Sequence, residues 1–449
     1  MTKPRQARRL DSCGPPILCL LEVGELPDPI KQQRWLRIIP VALIMYTISY
    51  VDRTNVSLAL EPSISTMMRD LVMDDRLKGF AAGIFFIGYV LLQVPGGYLA
   101  NRWSARKVVS LCLIFWGVSA MGCGLARTLG QFAVMRFFLG MSESAVFPAT
   151  TVLLANWFPR SERARANAYW CLCQPLAVVA SAPVTGWLLG VYGWRVMMVL
   201  EGLLPLLWLP VWWFFIRDHP REAKWLSTEE RTFLEQTLEA EAAELKLSAA
   251  NAVSFRAILC QPMIYLMIVI NFLHNSQAYG CMTFFTSTLQ GRDFSAVTHG
   301  VLLAGPYAVT AVIMVLNSWH SDKTGERRGH VTAVYLLSGA SLIASVLCRE
   351  HFWLSYALLC LAIPGPFAAL APFWAIPTET LPRTAAGVVI GLANACGNVG
   401  GFVGPYVVGW LTAGHGGVSV AFTVLGAGML LAAGLAMLLP KSLPTVNRT

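Results

Sequence analysis

The stretch LKGFAAGIFFIGYVLLQVPGGYLANRWSARK, Leu77 to Lys107, decides the fold. From Leu77 to Leu99 it is almost wholly apolar, about the length an α-helix needs to cross roughly 30 Å of hydrocarbon. It then breaks into GYLANRWSARK, a short basic loop. The second half of the chain holds a matching loop, SWHSDKTGERR at Ser318 to Arg328, in which the small, Asn or Asp, and paired basic positions coincide with the first. An apolar span ended by a basic loop, present twice, predicts a membrane protein made of two related halves.

The rest of the chain extends this pattern. Of 449 residues, 55% are hydrophobic and 13% charged, where a soluble domain carries about a quarter charged. Apolar runs recur from Arg37–Leu58 to Val418–Leu439, and we count twelve, six on either side of a polar segment. The expected fold class is an all-α membrane protein with twelve transmembrane helices. Its expected organisation is a tail at 1–36, a six-helix bundle at 37–216, a linker at 217–257, a second bundle at 258–440 and a tail at 441–449. An outer-membrane barrel would show alternating segments of about ten residues rather than continuous apolar runs.

Most of the 34 Lys and Arg residues fall in loops on one side of this arrangement. Cytoplasmic loops retain Lys and Arg, so both termini are expected inside. The net charge of +9 then encodes topology and attraction to anionic lipid, and no nucleic-acid partner is needed. Before Arg37, the run PPILCLLEV is short, is interrupted by Glu22 and lacks a small-residue cleavage site, so it reads as a cytoplasmic tail or an upstream misassigned start rather than a signal peptide. The eleven cysteines are scattered through apolar runs and read as packing. No metal-spaced His and Cys set, nucleophile–base pair or nucleotide-binding glycine fingerprint is present. Neither an enzyme nor a cofactor is expected.

The linker contains HPREAKWLSTEERTFLEQTLEAEAAELKLS, which reads as an amphipathic helix, with Ser227, Thr228 and Glu230 marking its start.

Charges inside the apolar runs are the informative exceptions. Asp52 and Arg53 adjoin in the first run, and Arg136 and Glu143 lie seven residues apart in the fourth. Adjacent residues leave a helix about 100° apart, whereas positions seven apart share one face at about 10 Å of rise. A charge at the bilayer centre costs at least about 2.5 to 3.5 kcal/mol on insertion scales. One explanation is two structural ion pairs, Asp52 with Arg136 and Arg53 with Glu143. The other is an anion site coupled to protons, in which protonation of Asp52 or Glu143 releases an Arg for a substrate carboxylate.

Other polar groups interrupt the runs. NFLHNSQAY, Asn271 to Tyr279, places Asn271, His274 and Asn275 on one helix face, either as glue between helices or as cavity lining. His274 reads more readily as a neutral, hydrogen-bonded group than as a proton relay. In GLANACGNVGG, Asn394 reads as lining and Asn398 as packing, and Trp374 sits in APFWAIP between two prolines. Glu201 and Arg195 read as groups that orient helix ends.

The blocks YVDRTNVSLAL, GIFFIGYVLLQVPGGYLA, RFFLGMSESAVFP, NWFPRSERARANA, GWRVMMVLEGLLP and GLANACGNVGGFVGP together resemble the anion:cation symporter branch of the major facilitator superfamily, over about residues 37 to 440. The resemblance implies alternating access and H⁺-coupled import of small organic anions such as sugar acids, dicarboxylates or aromatic acids. It puts the proton sites on Asp52 and Glu143, and substrate-contacting polar groups on Tyr50, Gln174 and Asn394. Arg53 would take the substrate carboxylate, with Arg136 serving the Glu143 switch. To these we add His274, Asn275 and Trp374 as lining. Asn101, Arg102, Arg106, Asp322 and Arg327 are the expected gating-loop residues.

The chain departs from the family pattern at Asn101 and Ser104, where Asp and Gly are usual, while Asp322 and Gly325 keep both features in the second copy. CMTFFTSTLQ, Cys281 to Gln290, lacks the ending frequent in relatives. The expected protein is a monomeric symporter of a cell membrane, such as a bacterial inner membrane. An uncoupled uniporter or exchanger is the alternative within transport, and a transport-fold ligand sensor the alternative outside it.

Overall fold

A computed structural model describes residues 33–249, 261–381, 383–414 and 416–440. Among the described residues, twelve helices form the two halves. In the first half, α1 is Gln33–Ala59, α2 Asp75–Arg102, α3 Ala105–Leu125, α4 Leu129–Trp157, α5 residues 160–192 and α6 residues 194–215. In the second, α7 is Pro262–Phe284, α8 Ala296–Thr324, α9 Arg328–Leu347, α10 Phe352–Thr380, α11 Ala385–Ala413 and α12 Gly417–Ala436.

Among the described residues, ten stretches are long and apolar enough to span a membrane. Two features account for the difference from twelve. Residues 165–215 form one apolar stretch that bends back at Gly193, whose φ of 75° places it in the left-handed region. The other is α7, which is not among the ten; the polar residues of NFLHNSQAY dilute its hydropathy.

The linker holds a helix, Thr228–Ala249, and Ser227 Oγ accepts from the Glu230 amide at 3.2 Å as a start cap should. Arg34 at the start of α1 pairs with Glu162 at 2.7 Å and also with Glu230. The linker is thereby tied to the first half. The tails at 1–32 and 441–449 and linker residues 250–260 lie outside the described residues.

The halves repeat each other in detail. The fourth and fifth helices of each are broken in mid-span: α4 after Glu143, α5 at Leu172, α10 at Ile363 and α11 after Gly397. Broken helices at membrane depth are tolerated where the freed backbone is buried in protein or lines a cavity.

Three hydrophobic cores show how the halves meet. Toward the face where α1 begins, here called the near face, each half has its own core. One is built around Trp116, Trp157 and Trp170 of the first half, the other around Ile264, Tyr335 and Phe373 of the second. Toward the opposite, distal face a single core combines both, from Leu58 and Phe132 to Phe284 and Phe422.

The distal contacts are close. A Cβ on Gly79 would come within 2.2 Å of Pro405 O, and one on Gly186 within 2.3 Å of Ala296 O, so α2 meets α11, and α5 meets α8, backbone against side-chain-free backbone. Polar groups complete the seal. Ser57 Oγ donates to Met282 O at 2.5 Å. Lys78 Nζ sits 3.6 Å from the Glu61 carboxylate and donates to Ser287 Oγ at 2.8 Å, and Ser287 in turn donates to Glu61 at 3.1 Å. Both Lys78 and Glu61 are fully buried. The two halves are therefore joined at the distal face and separate at the near face.

The distal ion pair makes the first prediction. Removing one member of a buried pair leaves the other charge uncompensated and costs about 3–5 kcal/mol, whereas replacing both with apolar groups is often neutral. Lys78→Met and Glu61→Leu should each lower the unfolding midpoint sharply in detergent, and the double substitution should recover most of the loss. A double variant as unstable as the sum of the singles would show that the two charges do not interact.

Candidate substrate cavity

Where the halves separate, a cavity of about 120 Å³ opens between them. The first helix presents Tyr46, Tyr50 and Arg53 to it, a row at helical i, i+4 and i+7 spacing. Gln174 enters from just beyond the break in α5, Asn271, His274, Asn275 and Tyr279 from α7, Trp374 from α10, and Asn394 and Asn398 from α11. Phe86 and Tyr89 of α2 and Phe147 of α4 supply aromatic wall.

Arg53 is the cationic side chain of this lining. Its guanidinium lies over three rings, Tyr50 at 4.6 Å, Tyr89 at 5.2 Å and Phe85 at 5.3 Å. Such faces attract a cation and hold the planar group in place. One nitrogen donates to Tyr279 Oη at 3.1 Å, a contact across the two halves, and another pairs with Glu143 Oε2 at 3.2 Å. Ser49, one turn before Arg53, donates to the same Glu143 oxygen at 2.7 Å. The other oxygen, Glu143 Oε1, is buried without a hydrogen-bond partner. Glu143 stands behind Arg53 rather than in the lining.

Asp52 faces another way, as the 100° step between neighbours requires. Its carboxylate accepts from Trp116 Nε1 of α3 and, at 3.4 Å, from Asn55. Arg136 donates at 3.1 Å to the main-chain carbonyl of Asp52, not to its carboxylate, and lies 5.0 Å over the Phe85 ring. Of the ten residues expected at the substrate and proton sites, seven line the cavity: Tyr50, Arg53, Gln174, His274, Asn275, Trp374 and Asn394. Asp52, Arg136 and Glu143 do not. Arg136, expected to serve the Glu143 switch and counted with the substrate groups, is held instead by the Asp52 carbonyl and the Phe85 ring, away from the lining.

Other expectations are refined. Asn398 is lining as well as packing, and its amide donates to Gln93 Oε1 of α2 at 3.2 Å. His274 Nδ1 is 3.1 Å from Tyr335 Oη within the second half, the satisfied arrangement expected of a bundle histidine. Asn271 donates to Ala393 O at 3.1 Å and Asn275 to Asn271 O at 2.9 Å, so this face of α7 is both glue and lining. Glu201 is buried inside α6, where it accepts from Thr185 at 2.5 Å, and does not orient a helix end. Arg195 does, at 3.8 Å from Asp70.

The expected gating loops sit on the near face and keep to their own halves. Arg102 donates to Tyr98 at 2.8 Å; Arg106 donates to Trp213 O at 2.5 Å, and its amide to Asp218 at 2.9 Å. Ser104, at the position where glycine is usual, donates to Asp218 at 2.5 Å. In the second copy Arg327 pairs with Asp322 and, at 3.0 Å, with Glu379. Asn101 is exposed.

Sequence reasoning missed Ser49, Trp116, Gln93 and the pair Glu61–Lys78. Ser49 was legible in principle, one turn from Arg53 on the same face. Trp116 in LCLIFWG is indistinguishable from a belt residue without its neighbours in space.

Two six-helix halves around a central polar cavity are matched by a family model, described as Major Facilitator Superfamily, over residues 42–405. The chain belongs to the Major Facilitator Superfamily. It is accordingly a multi-pass membrane transporter rather than an enzyme. Within the superfamily it is similar to a protein of Agrobacterium vitis described as "Putative tartrate transporter", 32% identical over 95% of this chain and 94% of that one. It is also similar to one of Bacillus subtilis described as "Probable galactarate/D-glucarate transporter GudP", 26% identical over 89% and 90%. These relatives agree with the likeness of its motifs to the anion:cation symporters. Among solved structures, a bacterial homologue of the human lysosomal transporter Spinster, inward-facing and occupied, matches with a TM-score of 0.71 at 16% identity, covering 91% of this chain and 97% of that one.

Tyr279→Phe removes the second-half donor–acceptor partner of Arg53 while keeping the ring. A hydrogen bond to a charged group contributes about 1.5–3 kcal/mol, so Arg53 should lose its link across the halves. Spin labels placed on α2 and α11 at the near face should report a broader distance distribution in the variant; an unchanged distribution would show that this contact does not hold the halves together.

Proposed function

We propose that this protein imports a small organic anion, a sugar acid, dicarboxylate or aromatic carboxylate, by H⁺ symport. The observation that carries the reading is the Arg53–Glu143 pair at 3.2 Å, with Arg53 in the wall of the central cavity and Glu143 directly behind it. The relatives described as tartrate and galactarate/D-glucarate transporters support the substrate class.

The mechanism follows from competition for one guanidinium. With Glu143 ionised, Arg53 is neutralised from behind. Protonating Glu143 removes that charge, and the freed fork of Arg53 takes a substrate carboxylate in its place. Anion and proton are then bound together or not at all. Tyr50, Gln174, Asn275, Asn394 and Trp374 supply the neutral polar and aromatic contacts that select among anions. Asp52, held by Trp116 and Asn55, is a second buried carboxyl beside this pair and the other candidate for the proton. The cytoplasmic termini implied by the basic loops make the near face the inner one, so the described state opens inward with its outer face sealed. Release to the cytoplasm and a bacterial inner membrane fit this orientation.

Uptake into proteoliposomes under an imposed pH gradient tests the proposal. Glu143→Gln should abolish gradient-driven accumulation while exchange persists, and Asp52→Asn should reduce accumulation in the same way. Accumulation equal to the parent's in Glu143→Gln would leave an uncoupled exchanger as the reading. Arg53→Ala should weaken substrate binding at least about tenfold, or 1.4 kcal/mol, and unchanged binding would move the carboxylate site elsewhere.

A further inference from the structure

The larger of the two cavities described is not the central one. On the distal face, wholly within the second half, a cavity of about 270 Å³ is walled by the turn after α7, the end of α9 and the starts of α10 and α12. Its lining carries Arg292 and Arg349, several hydroxyls including Ser287, Ser355 and Ser419, and no Asp or Glu. Asp293 and Glu350, next to the two arginines in sequence, are not part of it.

Among the described residues, neither arginine forms an ion pair with a carboxylate within 4.0 Å. Arg292 is stacked 4.1 Å over the Phe352 ring, which fixes its plane while leaving the edge donors free. Two cations, hydroxyl groups and no carboxylate in the lining of a concave site are the chemistry of an anion receptor.

This cavity shares its wall with the distal seal. Ser287 and Gln290 line it, and the same two residues hold Glu61: Ser287 donates to Oε2 at 3.1 Å and Gln290 Nε2 to Oε1 at 3.0 Å. An anion in the cavity competes with the Glu61 carboxylate for these donors. If it takes them, Glu61 and Lys78 lose two contacts that tie the first half to the turn after α7.

We propose that this cavity is a second anion site, taking a small carboxylate or phosphate group, and that its occupation loosens the distal seal by drawing Ser287 and Gln290 away from Glu61. The choice of carboxylates as probes and of Arg53→Ala as background rests on the transport reading. Placed at the face that must open for the next cycle, the site makes arrival of an anion there a signal to open it.

The test is isothermal titration of the full chain in phosphatidylcholine nanodiscs with L-tartrate and with inorganic phosphate. Arg53→Ala, which disables the central site, should keep one anion-binding event. Adding Arg292→Gln and Arg349→Gln should weaken that event at least tenfold, and the Lys replacements at both positions should restore part of it. Both arginines are exposed, so folding is not at stake. Repeating the titration in phosphatidylglycerol discs identifies the source: unchanged affinity assigns the site to a soluble anion, and loss of binding that depends on the two arginines assigns it to a lipid headgroup. Binding in Arg53→Ala that is indifferent to Arg292 and Arg349, or no binding at all in it, overturns the proposal. The two readings fail separately: Arg53→Ala binding as the parent does, with loss only in the Arg292 and Arg349 variants, would sink the central-site assignment and leave this one standing.

Discussion

A buried guanidinium facing a buried carboxylate is the constraint on which the central cavity depends. Arg53 and Glu143 are both withdrawn from solvent, and the attraction between such groups barely offsets the cost of desolvating them. Three aromatic faces and Tyr279 hold Arg53, and Ser49 holds one oxygen of Glu143. Glu143 Oε1 is left without a partner. Arg53 forms part of the wall that a ligand would meet, and Glu143 stands behind it.

The architecture around the pair serves the same end. The fourth and fifth helices of each half break at membrane depth, and these breaks place Glu143, Gln174 and Asn398 beside or behind the cavity. One shared core and a buried Lys78–Glu61 pair close the distal face, while separate cores leave the near face parted. Rocking between two such states replaces one set of packed contacts with another, because close-packed interfaces switch rather than stretch.

Much of this was legible in the sequence. Twelve apolar runs gave the twelve helices because hydrocarbon length leaves few alternatives, and the paired loops after α2 and α8 revealed the repeat. The polar residues of α7 read as either glue or lining, and they prove to be both while lowering its hydropathy. Intramembrane charges pointed to Arg53 and Glu143, which meet. What remained hidden depended on contacts across space. Nothing in the order of residues says that Trp116 of α3 captures Asp52, that Arg136 ends on a main-chain carbonyl, or that Lys78 finds Glu61 and Ser287. Lys78 falls in an otherwise apolar run, and in the fold it is fully buried.

The exchange of Glu143 for a substrate carboxylate at Arg53 is the central claim, and linkage gives its most direct test. If anion binding requires a protonated Glu143, protons must also favour the anion. The measurement is the substrate dissociation constant of purified protein as a function of pH, with proton uptake read from the buffer dependence of the binding heat. The account predicts that affinity rises as pH falls, with proton uptake on binding, and that Glu143→Gln flattens both. Affinity independent of pH in the parent, or the same slope in Glu143→Gln, would contradict it.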